Sequence, residues 1–568
     1  MSQFESPDIL LCTLNARYSH ASLGLRYLYA NLGVLKSRAK IQEFVIGDSS
    51  KKMLETIVDQ QPKIVGFGVY IWNVVETTAL VAQLKTLAPD ICIVVGGPEI
   101  SYEWQQQTIS QYVDYIITGW GEVSFRAVCA RVLNIVDSNP HQLMPPTANN
   151  KVITIANENN PAPAQEIPLY LETDQRPVVV EGIQAPLESI VMPYQEYTDQ
   201  DLKTRNIYVE ASRGCPFKCE FCLSSLDKTA WPFPLDTFLD EMAKLYERGA
   251  RVFKFVDRTF NLNIKTSNRI LEFFLSRNLA NPNDPVFAHF ELVPDHLPDA
   301  LKDMISRFPA GTLQFEIGIQ TFNPTVQAHI SRKQNNEKAL DNLRWLRNHC
   351  AAHLHVDLIA GLPGEDLNSF ARGFDILFAA NPHEIQVGVL KRLRGTPIIR
   401  HTLDFDMRYS PLPPYEILQN DAMRFHDLMR VSRFARYWDL VANSGKMPQL
   451  RVLIFQDCSL DSSEQHRPEC SAFWRFMQLS DDLYAQLKLT HTINQDRLFA
   501  FVYEWLQRRD VNQETLDAAL CADYQHAGNK HLPHFILDKQ VQAPAVNDAA
   551  RGRKNALGRQ KMASVEVG

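Results

Sequence analysis

The chain has 568 residues, with 58 Lys plus Arg against 65 Asp plus Glu, a net charge of −7 and 45% hydrophobic residues. That leaves room for roughly two to four domains with large cores. An isoelectric point near 6.2 excludes a generic nucleic-acid binder. Ten scattered cysteines exclude a secreted disulfide scaffold, and no apolar run approaches bilayer length. The polar N-terminus runs straight into Asp8–Thr13 without a basic stretch and an apolar one behind it, so a cytoplasmic protein is expected.

Residues 8 to about 135 alternate strand and helix. Apolar runs at 8–13, 64–70, 91–95 and 114–117 are separated by helix-length segments such as Ser22–Ser37 and Val74–Leu87. This is the rhythm of a doubly wound, flavodoxin- or Rossmann-like parallel sheet, assigned to residues 1–137. A Pro/Asn/Gln-rich interval follows, and 138–185 reads as a linker holding a short β-hairpin. A second βα series has strand candidates at 206–211, 251–256, 286–291, 312–319, 353–360 and 385–390, with helices such as Leu235–Glu247 and Asn336–Asn348 between them. Helix formers dominate 415–433, 471–488 and 498–509, making 405–540 a mostly helical domain. The small, polar, basic residues of 541–568 read as a disordered tail.

The second series opens on Cys215-Pro-Phe-Lys-Cys219-Glu-Phe-Cys222, three thiols within eight residues and no fourth Cys or His beside them. A structural zinc site wants four ligands and is closed. A cubane iron–sulfur cluster held by three thiolates keeps one iron open for a chelating ligand. In α/β barrels the chemistry sits at the C-terminal strand ends, and polar residues stand there. Phe255-Val-Asp257-Arg-Thr-Phe-Asn261 follows the second strand, and His289-Phe-Glu291 ends the third. The fourth carries Glu316-Ile-Gly318-Ile-Gln320, and the fifth ends Gly361-Leu-Pro-Gly364-Glu365.

The cysteine run and these strand ends, in this order, resemble the radical S-adenosylmethionine (SAM) enzymes, so a partial (β/α)6 barrel is expected over 186–404. The resemblance implies a [4Fe–4S] cluster on Cys215, Cys219 and Cys222, whose open iron binds the amino and carboxylate groups of SAM and cleaves it to a 5′-deoxyadenosyl radical. It puts Asp257 and Asn261 near the SAM amino end, Glu316 and Gln320 at the ribose or methionine, and Arg332 or Lys333 at the carboxylate. Gly361 and Gly364 would underlie the adenine. Glu210 and Glu316 read equally as interior charges paired with Arg213 or Lys254. A low-potential electron donor such as flavodoxin or ferredoxin is the implied partner, with no membrane and no nucleic acid.

Upstream, Gly66-Phe-Gly68-Val-Tyr70, Val94-Val-Gly96-Gly97-Pro-Glu99 and Asp114-Tyr-Ile-Ile-Thr-Gly119-Trp-Gly-Glu122 fall at successive strand ends. They resemble the cobalamin-binding module that precedes many radical SAM domains, with Gly66, Gly68, Tyr70, Gly96, Gly97, Gly119 and Glu122 as contact positions. His20 stands near the place of that module's cobalt ligand, but Tyr18 and Leu23 replace the accompanying Asp and Gly. No carboxylate is then at hand to orient the imidazole, and helix capping or core packing is the preferred reading. Pro411–Glu416 and Tyr437–Gly445 resemble an uncharacterised C-terminal domain of bacterial members.

The combination implies methyl transfer from methylcobalamin to an unactivated position, the substrate unspecified. The alternatives are a radical SAM oxidoreductase or cyclase whose cobalamin domain does not methylate, and an iron–sulfur sensor or nucleic-acid-binding module. A methylthiotransferase is disfavoured, because Cys12, Cys92 and Cys129 are too far apart to hold a second cluster. The basic segment Leu390-Lys-Arg-Leu-Arg-Gly395 reads as an anion-binding or a solvated loop, and Cys458 with His466–Cys470 as a loop rather than a metal site.

Overall fold

In β1 (Ile9–Asn15) every residue is buried. Successive side chains point to opposite faces of a strand, and here both faces are covered. Leu10, Cys12 and Leu14 share one core with Val81 and Leu84. Ile9 and Leu11 share the other with Leu25, Phe125 and Val128. The remaining strands of this sheet are β2 (Ala39–Val45), β3 (Ile64–Gly68), β4 (Cys92–Gly96), β5 (Tyr115–Thr118) and, after an antiparallel hairpin of β6 (Val152–Ile155) and β7 (Gln165–Pro168), β8 (Val178–Glu181). Their order is β2-β1-β3-β4-β5-β8, all parallel. This is a doubly wound sheet whose order reverses between β1 and β3, the place where such sheets bind ligands.

The computed structural model describes residues 6–135, 152–155, 165–168, 177–227, 229–456, 458, 470–509 and 511–528. The tail from 541 and residues 459–469 lie outside them. The chain forms two compact units: Met1–Arg258 with Arg392–Pro397 and Ser410–Tyr415, and Thr259–Lys391 with Ile398–Tyr409 and the chain from Glu416. The first unit also holds β9 (Ile207–Val209), the short antiparallel pair β10 (Ser212–Arg213) and β11 (Trp231–Pro232), and β12 (Val252–Phe255), which pairs β9 in parallel.

The second unit continues the βα series with β13 (Phe287–Leu292), β14 (Leu313–Gln320), β15 (His353–Ala360) and β16 (Glu384–Val389), again parallel. Burial alternates along β14 and β15, each buried residue followed by a half-buried one over most of their length; Phe315 of β14 and Phe290 of β13 are buried, with Phe290 against Phe274 of helix Ile264–Ala280. A small pair, β17 (Arg408–Tyr409) and β18 (Ile417–Gln419), precedes helices Phe425–Val441, Pro448–Ile454, Ala472–Leu487, Gln495–Gln507 and Gln513–His526. Phe374, Phe434, Trp438 and Phe473 pack ring on ring and join the first of these helices to the βα series. Among the described residues no helix is long and apolar enough to cross a membrane.

Four expectations need correction. β2 has no apolar run because it is an edge strand, partly exposed. Residues 178–181, expected within a linker, complete the first sheet beside β5. The helix expected from 415 starts at Phe425, and 417–419 is a strand. The helix expected at Ser22–Ser37 also breaks, at Ala30, because Gly33 turns with φ +56° into a 3₁₀ segment.

Candidate active site

After β9 the chain passes Glu210 and enters the cysteine loop, whose base is pinned from several sides. Asp257, just past β12, accepts hydrogen bonds from the Ala211 amide at 3.0 Å and the Ser212 hydroxyl at 2.6 Å. It is 3% exposed, and burial pushes its carboxyl up to about 7 against the pull of those donors. Gly214 has φ +90°, and a Cβ there would stand 2.0 Å from the Thr229 carbonyl oxygen, so only glycine lets the two arms of the loop meet. The Cys215 amide donates to the Asp227 carbonyl at 3.1 Å. The Ser225 hydroxyl is shared between the carbonyls of Cys219 and Cys222 at 2.8 and 2.7 Å.

Cys215 is buried, and Cys219 and Cys222 are half-buried. Burial pushes the Cys215 thiol up to about 11. Among the described residues no three His, Cys, Asp or Glu side chains converge as ligands of one ion. A cluster has no such requirement, since each iron takes its own thiolate.

At the C-terminal edge of the first sheet lies a cavity of about 480 Å³. Gly66, Gly68, Tyr70, Gly96, Gly97, Gly119 and Glu122 all line it, with Tyr27, Trp120 and, from the segment before the cysteines, Glu210 and Arg213. Two of the glycines leave no room for a side chain. A Cβ at Gly66 would lie 2.8 Å from the Phe125 ring, and one at Gly97 (φ +115°) 2.5 Å from the Val69 carbonyl oxygen. The Ser101 hydroxyl ties two walls together, donating to the Gly97 carbonyl at 2.8 Å and accepting the Gly119 amide at 3.1 Å.

Beyond Gly97 and Pro98 the loop is anchored by buried Glu99, which accepts from the Tyr415 hydroxyl at 2.6 Å and from Arg394 Nε at 3.0 Å. Glu103 takes Arg392 at 2.7 Å and Arg394 at 3.1 Å. The basic segment after β16 is therefore neither a solvated loop nor an anion site. Its arginines bind the chain's own carboxylates, and Lys391 stands 3.9 Å from Glu416.

Arg213 joins the two features. Its guanidinium meets Glu210 at 2.9 Å and Glu122 at 2.7 Å, and covers the rings of Tyr27 at 4.9 Å and Trp120 at 4.7 Å. The sequence reading saw the Glu210–Arg213 pair but not Glu122, which lies 91 residues away. His20 does not line the cavity. Its Nδ1 shares a hydrogen bond with the Tyr208 hydroxyl and its backbone bridges to Asn206. Burial, with Lys254 and Arg17 nearby, lowers its pKa.

In the second unit the strand-end residues differ sharply in how free they are. Asn261 is fully buried. Its amide donates to the carbonyls of Val293 and His296 and its oxygen accepts the Val293 amide at 2.8 Å, so it shapes the turn after β13 and has no polar atom left to offer. Arg332 donates to the Gly318 carbonyl and to Gln334, and Lys333 is exposed. Glu316 lies 3.4 Å from His289 with about a third of its side chain open.

Gln320 closes β14 at φ +69°, where the register with β15 shifts, and its Oε1 is buried with no hydrogen-bond partner. A strained residue ending on an unspent acceptor is a mark of a binding position. A Cβ at Gly318 would meet the Gln320 amide at 2.3 Å, so that glycine makes room for it. Gly361 and Gly364 have φ +85° and +79°, and a Cβ at Gly361 would strike Ile417 at 2.6 Å. Glu365 is 1% exposed; it accepts from Thr321 at 2.6 Å, and burial pushes it up to about 7.

Residues 10–129 match the B12 binding domain, 209–375 the radical SAM superfamily, and 403–563 a protein of unknown function (DUF4080). The chain is 25% identical over 361 residues to the cobalamin-dependent radical SAM methyltransferase TokK of Streptomyces tokunonensis, covering 61% of this chain and 49% of that one. It thus spans about half the length of that relative. It is 22% identical to the uncharacterized methyltransferase PH0819 of Pyrococcus horikoshii, over 63% of this chain and 74% of the relative.

Among solved structures, the cobalamin-dependent SAM radical enzyme OxsB aligns over 92% of this chain and 84% of its own, with a TM-score of 0.55 and 13% identity. The radical SAM methyltransferase TsrM of Kitasatospora setae aligns over 71% and 77%, with a TM-score of 0.50 and 16% identity. At these identities the alignments establish the fold. The radical SAM match implies a [4Fe–4S] cluster and SAM, and the B12 match implies a corrinoid. The residues present fit both: a loop of three cysteines with, among the described residues, no further ligand converging on them, and a cavity walled in part by glycines.

Proposed function

We propose, from the premise that the chain is a radical SAM enzyme carrying a B12-binding domain, that it performs cobalamin-dependent methyl transfer to an unactivated position of its substrate. The carrying observation is a cavity lined both by the strand-end glycines of the first sheet and by Glu210 and Arg213, which lead into the cysteine loop. When bound, the cluster, SAM and the corrinoid supply reductive SAM cleavage, hydrogen-atom abstraction and the methyl group. The chain's own residues bind, orient and exclude water.

Cys215, Cys219 and Cys222 would hold the cluster, with Asp257 fixing the base of their loop. Gln320, and Glu316 on the same strand, would meet SAM, with the turn at Gly361 and Gly364 under its adenine. Arg332 is the better placed of the two candidate cations to back the Gln320 end, since it already binds the Gly318 carbonyl. Asn261 serves as a positioning residue rather than a SAM contact. Gly66, Gly68, Tyr70, Gly96, Gly97, Gly119 and Glu122 would receive the corrinoid, without an imidazole from His20. Methyl transfer rather than another radical reaction is supported by TokK and PH0819, both named as methyltransferases. A flavodoxin- or ferredoxin-type protein would deliver the electron.

The test is anaerobic purification with cobalamin supplied, cluster reconstitution, and assay of bound corrinoid and SAM products. One corrinoid per chain, with both 5′-deoxyadenosine and S-adenosylhomocysteine formed, is the expected result. Retained corrinoid with 5′-deoxyadenosine alone would replace methyl transfer by a radical oxidation or cyclisation. Absence of corrinoid would remove cobalamin from the reading.

A further inference from the structure

Arg213 stands two residues before Cys215 and lines the cavity of the first sheet. Its side chain is 16% exposed and meets Glu122 at 2.7 Å and Glu210 at 2.9 Å. Glu122 is the first residue of helix Glu122–Val132, whose Phe125 ring lies against Gly66 across the cavity wall. A ligand that settles against this wall therefore acts on Glu122, and through it on the guanidinium.

The other end of Arg213 is its backbone, and that backbone has little freedom. It pairs with Trp231 in the β10–β11 ladder. The next residue is Gly214, wedged against Thr229, and then Cys215, whose amide is bonded to the Asp227 carbonyl. A shift at the guanidinium is carried into the first cysteine, because a largely enclosed arginine forked between two carboxylates moves with both or loses both.

We propose that Arg213 is a positioning residue that couples occupancy of the cavity to the cysteine loop, so that corrinoid and cluster each favour binding of the other. This rests on the corrinoid reading given above. The coupling is reciprocal by linkage, and it is measurable without turnover.

The experiment compares hydroxocobalamin affinity of the full chain with its cluster reconstituted and with its cluster removed, by anaerobic optical titration. The wild type is expected to bind roughly tenfold tighter when cluster-loaded, within the range usual for coupled sites. In Arg213→Met, with iron and sulfide content matching the wild type, that ratio is expected to fall to about one. A ratio that survives the substitution, or a wild-type ratio of one, overturns the proposal. Should Arg213→Met fail the circular-dichroism check for folding, Arg213→Lys decides. It keeps the charge but cannot fork to both carboxylates, and the ratio must fall at least roughly threefold; an unchanged ratio overturns the coupling. Wild type that binds no cobalamin in either form instead defeats the corrinoid reading, and the coupling goes with it.

Discussion

The cavity of the first unit and the strand ends of the second are built from different materials. The cavity at the first sheet is walled by backbone: Gly66 on β3 and Gly97 just past β4 stand where any side chain would collide with Phe125 or the Val69 carbonyl. The strand ends of the second unit are shaped by side chains, and neighbouring backbone has already claimed several of them. Asn261 is tied to Val293 and His296, while Gln320 ends on an unspent oxygen. A site made of absent side chains is preformed and rigid. One made of side chains must be sorted residue by residue into those that hold the fold and those left to hold a ligand.

That contrast can be broken or sharpened by substitution. The largest effect is expected from Cys219→Ala, which should abolish cluster assembly and SAM cleavage, read by iron content and 5′-deoxyadenosine formation, while corrinoid is still bound, roughly tenfold more weakly. Asn261→Ala should lower stability by about 3 kcal/mol, since its buried amide satisfies backbone groups that would be left unpaired; the check is a denaturant midpoint. If Asn261→Ala melts like the wild type but loses SAM affinity, the contrast fails.

Gly66→Ala should weaken cobalamin binding by about tenfold, the overpacking against Phe125 amounting to about 1–3 kcal/mol, with cluster content unchanged. Glu365→Gln should act only through pH. The carboxyl's folded value of about 7 lies above its ordinary 4.5, so the folded state holds the proton longer. The wild type then loses stability as pH rises between those values, and the loss levels off above 7. The amide should remove that slope, melting close to the wild type at pH 5 and more stable by about 1–3 kcal/mol at pH 8.

Legibility in the sequence follows the same division. The βα order, most strand positions and the glycines that line the cavity could be read because apolar runs and glycines are local signals. β2 could not, since an edge strand that is half exposed has no apolar run. β8 could not, because its partner β5 is some 60 residues upstream across a polar interval. Among side chains, Asp257 and Asn261 were noticed for their chemistry, but only distances show that Asn261 spends it on backbone and Asp257 on the Ala211 amide and the Ser212 hydroxyl. Arg213–Glu122 and Arg394–Glu99 were out of reach for the same reason: a pair separated by 91 or 295 residues leaves no periodic trace.

The Glu99 anchor also has a consequence for how the protein is made. Chains emerge from the ribosome N-terminus first and fold domain by domain, and the first sheet could close soon after residue 181. The loop carrying Gly97 could not settle then, because Arg392, Arg394 and Tyr415 would not yet exist, and Glu99 would wait as a buried carboxylate without its partners. A nascent chain stalled before residue 392 should therefore hold a folded sheet with an open cavity loop, and acquire the finished cavity only when translation has passed Tyr415.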